Sequence, residues 1–172
     1  MSIFVTSDQH FDHKNIIKYS KRPFAELGEM NQAIISRWNK TVSPTDTVYV
    51  LGDFCFGKYP ATYLNQLNGH LHLIKGNHDS KPTTRYEKWV DVSDYKEIKH
   101  EGVSFVLCHY PFETWRKSHH GAIHLHGHCH GNSREVVNRW DVGVDVFDFT
   151  PVKLEWFIER RKERGPYQHD VE

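Results

Sequence analysis

Five short apolar runs in this 172-residue chain each break off into residues that can bind a metal ion or carry a proton. Ile3-Phe4-Val5 precedes Asp8 and His10, Thr47 to Leu51 precedes Asp53, and Leu71 to Ile74 precedes Asn77, His78 and Asp79. Val103 to Leu107 precedes His109, and Ala122 to Leu125 precedes His128 and His130. Runs this short and rich in β-branched residues predict strands, several of them buried on both faces. Helical spacing fills the gaps. Leu27, Met30, Ile34 and Trp38 share one face, with Ile35 widening it, and Pro60 can open a helix carrying Tyr63, Leu64 and Leu67. Pro151 to about Arg164 predicts a last helix whose charged run is a solvated face. Asp94 to Leu107 predicts a hairpin turning at Glu101-Gly102, and Trp140 to Val146 alternates as a strand with one polar face. Strands alternating with helices predict an α/β domain. With no repeat or linker in the sequence, one domain is expected to span residues 1–172.

The position of the polar residues carries the functional argument. Functional groups gather at the carboxyl ends of strands in α/β sheets, so five strand ends can deliver side chains to one crevice. Fourteen histidines make imidazole chemistry prominent. Asp8, His10, Asp53, Asn77, His109, His128 and His130 offer only carboxylate, imidazole and amide donors. That set suits manganese, iron, zinc, nickel or cobalt. Seven donors exceed one tetrahedral ion but serve two octahedral ions that share a carboxylate. Singly, each motif has a plainer reading: Asp8 as a turn cap, Gly52-Asp53 as a turn, His109 as a hydrogen-bonded core histidine. In order behind five strands they predict a dinuclear centre. Gly127, between His126 and His128, predicts a close backbone approach.

Other features exclude partners. Lys plus Arg equals Asp plus Glu at 22 each, so no global field draws the chain to a polyanion or a membrane. No apolar run approaches membrane-spanning length, and the first residues lack a secretory signal pattern. Cys55, Cys108 and Cys129 form no CxxC pair, which predicts reduced thiols and a cytoplasmic location. Nucleic acid remains a partner only in the role of substrate.

Asp8-Gln9-His10, Gly52-Asp53, Gly76-Asn77-His78-Asp79, the lone His109 and Gly127-His128-Cys129-His130 resemble, in kind and order, the motifs of the calcineurin-like metallophosphoesterase superfamily. The resemblance runs from Asp8 to His130 and implies a fold: two mixed β-sheets packed as a sandwich and flanked by helices, with the metal pair at the strand ends. It implies one divalent transition-metal ion on Asp8, His10, Asp53 and His130, and a second on Asp53, Asn77, His109 and His128, with manganese the leading choice. His78 is then the general acid, or a donor that steadies the phosphate, and Asp79 the carboxylate that polarises it. The superfamily's protein phosphatases follow the second motif with an arginine, whereas Asp53 here precedes Phe54-Cys55-Phe56, which counts against that branch. The stretch from Asp8 to Ile17 is similar to a small bacterial and phage-type branch, in which His13 and Asn15 stand near the pocket mouth or start a surface helix. The expected activity is hydrolysis of a phosphodiester or a small nucleotide-type phosphate ester. Tyr110 and Arg116, on an aromatic and cationic loop, and Arg134 are the expected substrate contacts. The rivals are a phosphomonoesterase or protein phosphatase on the same site, a non-catalytic metal-binding scaffold, and a structural zinc module built on Cys108-His109 and His128-Cys129-His130.

Overall fold

The computed structural model describes residues 1–162. Its first sheet contains β1 (Ile3–Thr6), β2 (Thr47–Val50), β3 (His70–Ile74), β4 (Trp89–Ser93) and β9 (Val152–Lys153), in the order β4-β3-β2-β1-β9. The β1 to β4 pairings are parallel, and β9 joins β1 antiparallel. The second sheet contains β5 (Tyr95–His100), β6 (Val103–Cys108), β7 (Ile123–His126) and β8 (Arg139–Asp141), in that order. Its β5–β6 pair is antiparallel and the other two pairs are parallel, so both sheets are mixed. Five α-helices, α1 (Lys14–Tyr19), α2 (Leu27–Thr41), α3 (Ala61–Leu64), α4 (Lys81–Thr84) and α5 (Leu154–Arg160), and a 3-10 turn at Ser118–His120 complete the described elements.

The pleat explains why the predicted strands lack strict polar alternation. Phe4, Val48, Val50, Leu71 and Leu73 face one core, together with Met30, Ile34, Ile35 and Trp38 of α2. Their neighbours Val5, Tyr49, Leu51 and Ile74 face a second core, against Phe105, Leu107, Ile123 and Leu125 of the other sheet. Successive side chains of a strand point to opposite faces, so a central strand of this sheet needs apolar residues at every position. Each such side chain contributes about 1.5–3 kcal/mol when fully buried.

The hairpin turns as expected, with Glu101 at φ 46° and Gly102 at φ 80°, the positive values that a two-residue turn between twisted strands requires. Trp140 to Val146 departs from expectation. The strand stops at Asp141, whose carboxylate accepts the Gly143 and Gly131 backbone N–H groups and draws the chain out of the ladder. Gly143 then bridges to Ser7 of the other sheet, Val142 and Val144 enter different cores, and Val146 is exposed. The last helix begins later than Pro151, because Val152 and Lys153 first pair with Val5 and Phe4. Its expected end near Arg164 lies outside the described residues. No described helix is long and apolar enough to cross a membrane.

Candidate active site

The loops after β1 and β2 stay zipped together beyond the sheet. Asp8 N–H donates to Gly52 O, His10 N–H to Asp53 O and Phe11 N–H to Phe54 O, each at 3.0 Å. On the other side, Gly127 N–H donates to His109 O at 3.0 Å and Val144 N–H to Ser7 O at 2.9 Å. These bonds bring the two sheets' strand ends to one place. They also force unusual backbone: Asp8, His10, Asp53, His128 and His130 all have positive φ, between 48° and 69°. Such conformations cost non-glycine residues about 1 kcal/mol or more each and persist where surrounding structure imposes them. Gly127 is required for a different reason. A Cβ there would run into the Ser7 hydroxyl and the Asp8 carboxylate.

Six of the seven expected donors form two groups whose ligand atoms lie within 4.8 Å of one another: Asp8, His10 and His130, then Asp53, His109 and His128. Asp53 connects the groups. One of its oxygens accepts the His78 backbone N–H at 2.8 Å. The other, Oδ2, lies 3.6 Å from His10 Nε2 and 3.5 Å from His109 Nε2. Asn77 Oδ1, the seventh donor, is 3.1 Å from His109 Nε2.

The residues fit a pair of cations. Donor atoms about 2.0–2.2 Å from a common ion lie roughly 3–4.4 Å apart, and the separations of 3.1 to 3.9 Å among Asp8, His10, Asp53, Asn77 and His109 fall in that range. His10 Nε2 is fully buried and has no hydrogen-bond partner, an arrangement that costs free energy unless a cation fills it. His109 is oriented by Nδ1, which donates to Leu51 O at 2.7 Å, so Nε2 presents its lone pair to two oxygens. Only a proton or a cation relieves that convergence. Burial pushes the Asp8 carboxyl up to about 7, against the opposing pull of His130 and His109. Burial likewise lowers His10 to about 3, keeping it in the neutral form that a ligand needs. Asp53 experiences burial too, but its neighbours, His109 first and then the His78 backbone N–H, outweigh it and hold it at about 2. No cysteine belongs to either donor group among the described residues, which counts against a zinc module.

Behind these donors stands a buried network that the sequence reading missed. His130 Nδ1 lies 2.7 Å from Asp145 Oδ2, and Arg22 grips the same carboxylate at 2.8 and 2.9 Å. Arg22 also donates to Asp8 O at 2.7 Å and Gln9 O at 2.9 Å, so its charge is paired and its donors are used. Burial opposes ionisation of Asp145, yet His130 and Arg22 together lower its pKa. A carboxylate on the far nitrogen of a histidine sets its tautomer and ring direction. The acids Asp141 and Asp145 within an otherwise apolar run were the one visible signal.

Asp79 differs from expectation. Its oxygens accept three backbone N–H groups, from Gly76 at 2.8 Å and from Asp53 and Phe54 at 2.9 Å. It clamps the β3 loop to the β2 loop rather than polarising the His78 ring. Of the expected substrate contacts, Tyr110 lies beside the second donor group, its ring edge-on to His109 and His128. Arg116 and Arg134 do not reach the site: Arg116 pairs with Glu97 and Arg134 with Glu113, both at exposed positions. A loop cation takes the nearest carboxylate that the fold supplies, which spacing in sequence does not reveal.

A cavity of about 820 Å³ opens directly over the donors. His10, Asp53, His128 and His130 form its floor, and His78 faces it from one side. Cys129 and Asn132 flank the histidine floor, and His13, Ile16, Tyr19, Ser20, Lys21 and Phe56 form the rest of the wall; of these the sequence pointed only to His13, near the pocket mouth.

Comparison with known proteins places the chain in a family. The description of the calcineurin-like phosphoesterase superfamily domain matches residues 1–144. The uncharacterized protein MJ1445 of Methanocaldococcus jannaschii is 36% identical over 171 residues, covering 91% of this chain and 89% of that one. The Gene 66 protein of Mycobacterium phage L5 is 26% identical over 179 residues, covering 83% and 86%. The crystal structure of AQ665, a protein of unknown function from Aquifex aeolicus, is similar with a TM-score of 0.75 at 27% identity, covering 92% of this chain and 98% of that one. The chain belongs to the calcineurin-like phosphoesterase superfamily, a family of metal-dependent phosphoesterases.

Proposed function

We propose that this chain is a cytoplasmic, single-domain hydrolase that cleaves a phosphodiester or a small nucleotide-type phosphate ester at a dinuclear centre. The observation that carries the reading is Asp53 Oδ2, which stands between His10 Nε2 and His109 Nε2 and so between the two donor groups. Asp8, His10, Asp53 and His130 would hold one ion, and Asp53, Asn77, His109 and His128 the other, with manganese proposed among the transition-metal ions that mixed oxygen and imidazole donors accept. When bound, the ions supply an activated water and neutralise charge on the phosphoryl group.

The protein's own part is to position and to move a proton. The Asp53 carboxylate holds the His78 backbone, and the ring of His78 lies 5.6 Å from that of His10 on the cavity wall. From there His78 donates its proton to the leaving oxygen as that oxygen's bond to phosphorus breaks. The water oxygen bonds to phosphorus and its proton passes to solvent, so ester and water become acid and alcohol. Asp79 fixes the loop on which Asn77 and His78 are carried.

The test is hydrolysis of bis-p-nitrophenyl phosphate and p-nitrophenyl phosphate with Mn, Ni, Zn, Mg or chelator. Metal-dependent turnover that Asp53→Ala abolishes is the expected result, with the diester preferred. His78→Ala should bind metal normally and turn over a poor leaving group roughly 10²–10⁴-fold more slowly. A full rate in that variant would refute the proton-donor role, and a wild type inert with every metal would favour the scaffold.

A further inference from the structure

The cavity is asymmetric, and its asymmetry bears on the leaving group. Phe56 follows Asp53 by three residues, and its ring is 54% exposed. A single exposed apolar side chain is ordinary, but Phe56 belongs to a contiguous aromatic patch with His13 and Tyr19 at the cavity. Its backbone is not free to tuck the ring away: Phe56 N–H donates to Phe11 O at 2.8 Å, beside the bridge between Phe11 and Cys55. The ring lies flat on His13, with centroids 4.4 Å apart and planes 13° from parallel. Tyr19, 68% exposed, stands edge-on to His13 at 6.3 Å. His78 is 5.7 Å from Phe56 and 6.3 Å from His13, ring to ring, so this aromatic wall adjoins the group that protonates the departing oxygen.

Charge completes the picture. From His13 to Ala25 the chain carries Lys14, Lys18, Lys21 and Arg22 and no acid. Arg22 is committed to Asp145, whereas among the described residues no ion pair involves Lys14, Lys18 or Lys21. Lys21, held at φ 51°, lines the cavity beyond the aromatic pair. Lys21 is the one lysine or arginine among the described residues that line the cavity.

Resting on the phosphoesterase reading, we propose that Phe56 and His13 form the leaving-group subsite, a platform on which the base of a departing nucleoside stacks. Lys21 takes the next phosphate of the same substrate. The substrate class is therefore a short single-stranded nucleotide phosphodiester. A flat base fits a preformed, exposed aromatic face with no hydrogen-bonding pattern, which gives stacking with little base preference.

The experiment compares a dithymidine phosphodiester with the glycerol phosphodiester, which carries no ring, as a ratio of kcat/KM values with manganese. The wild type should favour the dinucleotide. Phe56→Ala should lower that ratio on the order of 10–100-fold, and Phe56→Trp should restore it. Lys21→Gln should erase any preference for a dinucleotide bearing an added terminal phosphate. An unmoved ratio in Phe56→Ala, or a wild-type ratio in Phe56→Leu, which keeps bulk without a plane, would overturn the stacking subsite. Titration calorimetry with a dithymidine methylphosphonate, which is neutral and resists hydrolysis, separates the two readings. If neither ester turns over but this ligand binds and Phe56→Ala weakens it, the catalytic reading fails and the platform stands. If esters turn over and the ligand does not bind, the platform fails alone.

Discussion

Four histidines alternate through seven residues, from His124 to His130, and the fold divides them into two pairs with different work. His124 and His126 belong to β7 and are fully buried. His124 Nδ1 donates to Val106 O at 3.0 Å while Nε2 accepts the Phe112 backbone N–H at 3.0 Å, so backbone uses both ring nitrogens. Its ring stacks on Phe112, which fixes the start of the loop after His109. His126 sets Nδ1 2.8 Å from Gly127 O. His128 and His130 come after the strand, at positive φ, and join the two donor groups. His130 has one nitrogen tied to Asp145, which leaves the other to face the cavity. Residue type is the same in all four. Position relative to the strand end separates the packing histidines from the ligands, and the second nitrogen alone does not, because His126 Nε2 is buried without a hydrogen-bond partner just as His10 Nε2 is.

Breaking that comparison directly gives the largest effect. His128→Ala and His130→Ala should each cost more than about 100-fold in metal-dependent hydrolysis, since even the residues behind ligands are worth 10–100-fold. His124→Gln, which can still donate and accept, should remain within about threefold of wild type. Equal losses in all three variants would mean that the division into pairs carries no functional weight.

That the donor residues emerge at strand ends was legible because period and phase are local properties, whereas their division into two groups was implied by the family resemblance alone. A run such as Thr47 to Leu51 followed by Gly52-Asp53 says where the side chain emerges without reference to any distant residue. The same locality explains β4, which was missed. Trp89 to Ser93 follows a short helix with no turn-forming pair before it, and its strand character comes from pairing with β3. Arg22 and Asp145 meet across 123 positions, and neither has a neighbour that marks it as buried. The Phe56 and His13 stack depends on two loops zipping together past their strands, a tertiary event with no periodic trace. Arg116 and Arg134 were misjudged for the reverse reason, because Glu97 and Glu113 sit where only the fold could bring them.

Asp145 sharpens the contrast between the ligand pair and the packing pair by a smaller step. Asp145→Asn removes the charge behind His130 while keeping the shape, and Arg22 is left with carbonyls alone. Metal affinity at the Asp8, His10 and His130 group should weaken 10–100-fold, read by chelator competition. The group built on Asp53, His109 and His128 should hold its ion as before, so titration of the variant should show two unequal steps. A uniform loss at both groups would point to a general loosening of the fold rather than to the orientation of His130.

The smallest effect tests the packing pair through its pH response. Burial lowers His124 to about 4 from its ordinary 6.5, so between those values the unfolded chain binds a proton that the folded chain refuses. Stability from this group is fully present above 6.5 and is lost as pH falls toward 4, with a slope of at most about 1.4 kcal/mol per pH unit. Other groups titrate nearby with the opposite sign, Asp8 among them, because burial raises its pKa and the folded state then gains the proton. The informative quantity is therefore the difference between wild type and His124→Gln, measured by urea unfolding in chelator at pH 7.5, 6, 5 and 4. Wild type should lose its advantage over the variant as pH falls. A difference that stays level would mean that His124 keeps its proton on folding, and that burial does not distinguish it from the ligand histidines in the way its hydrogen bonds require.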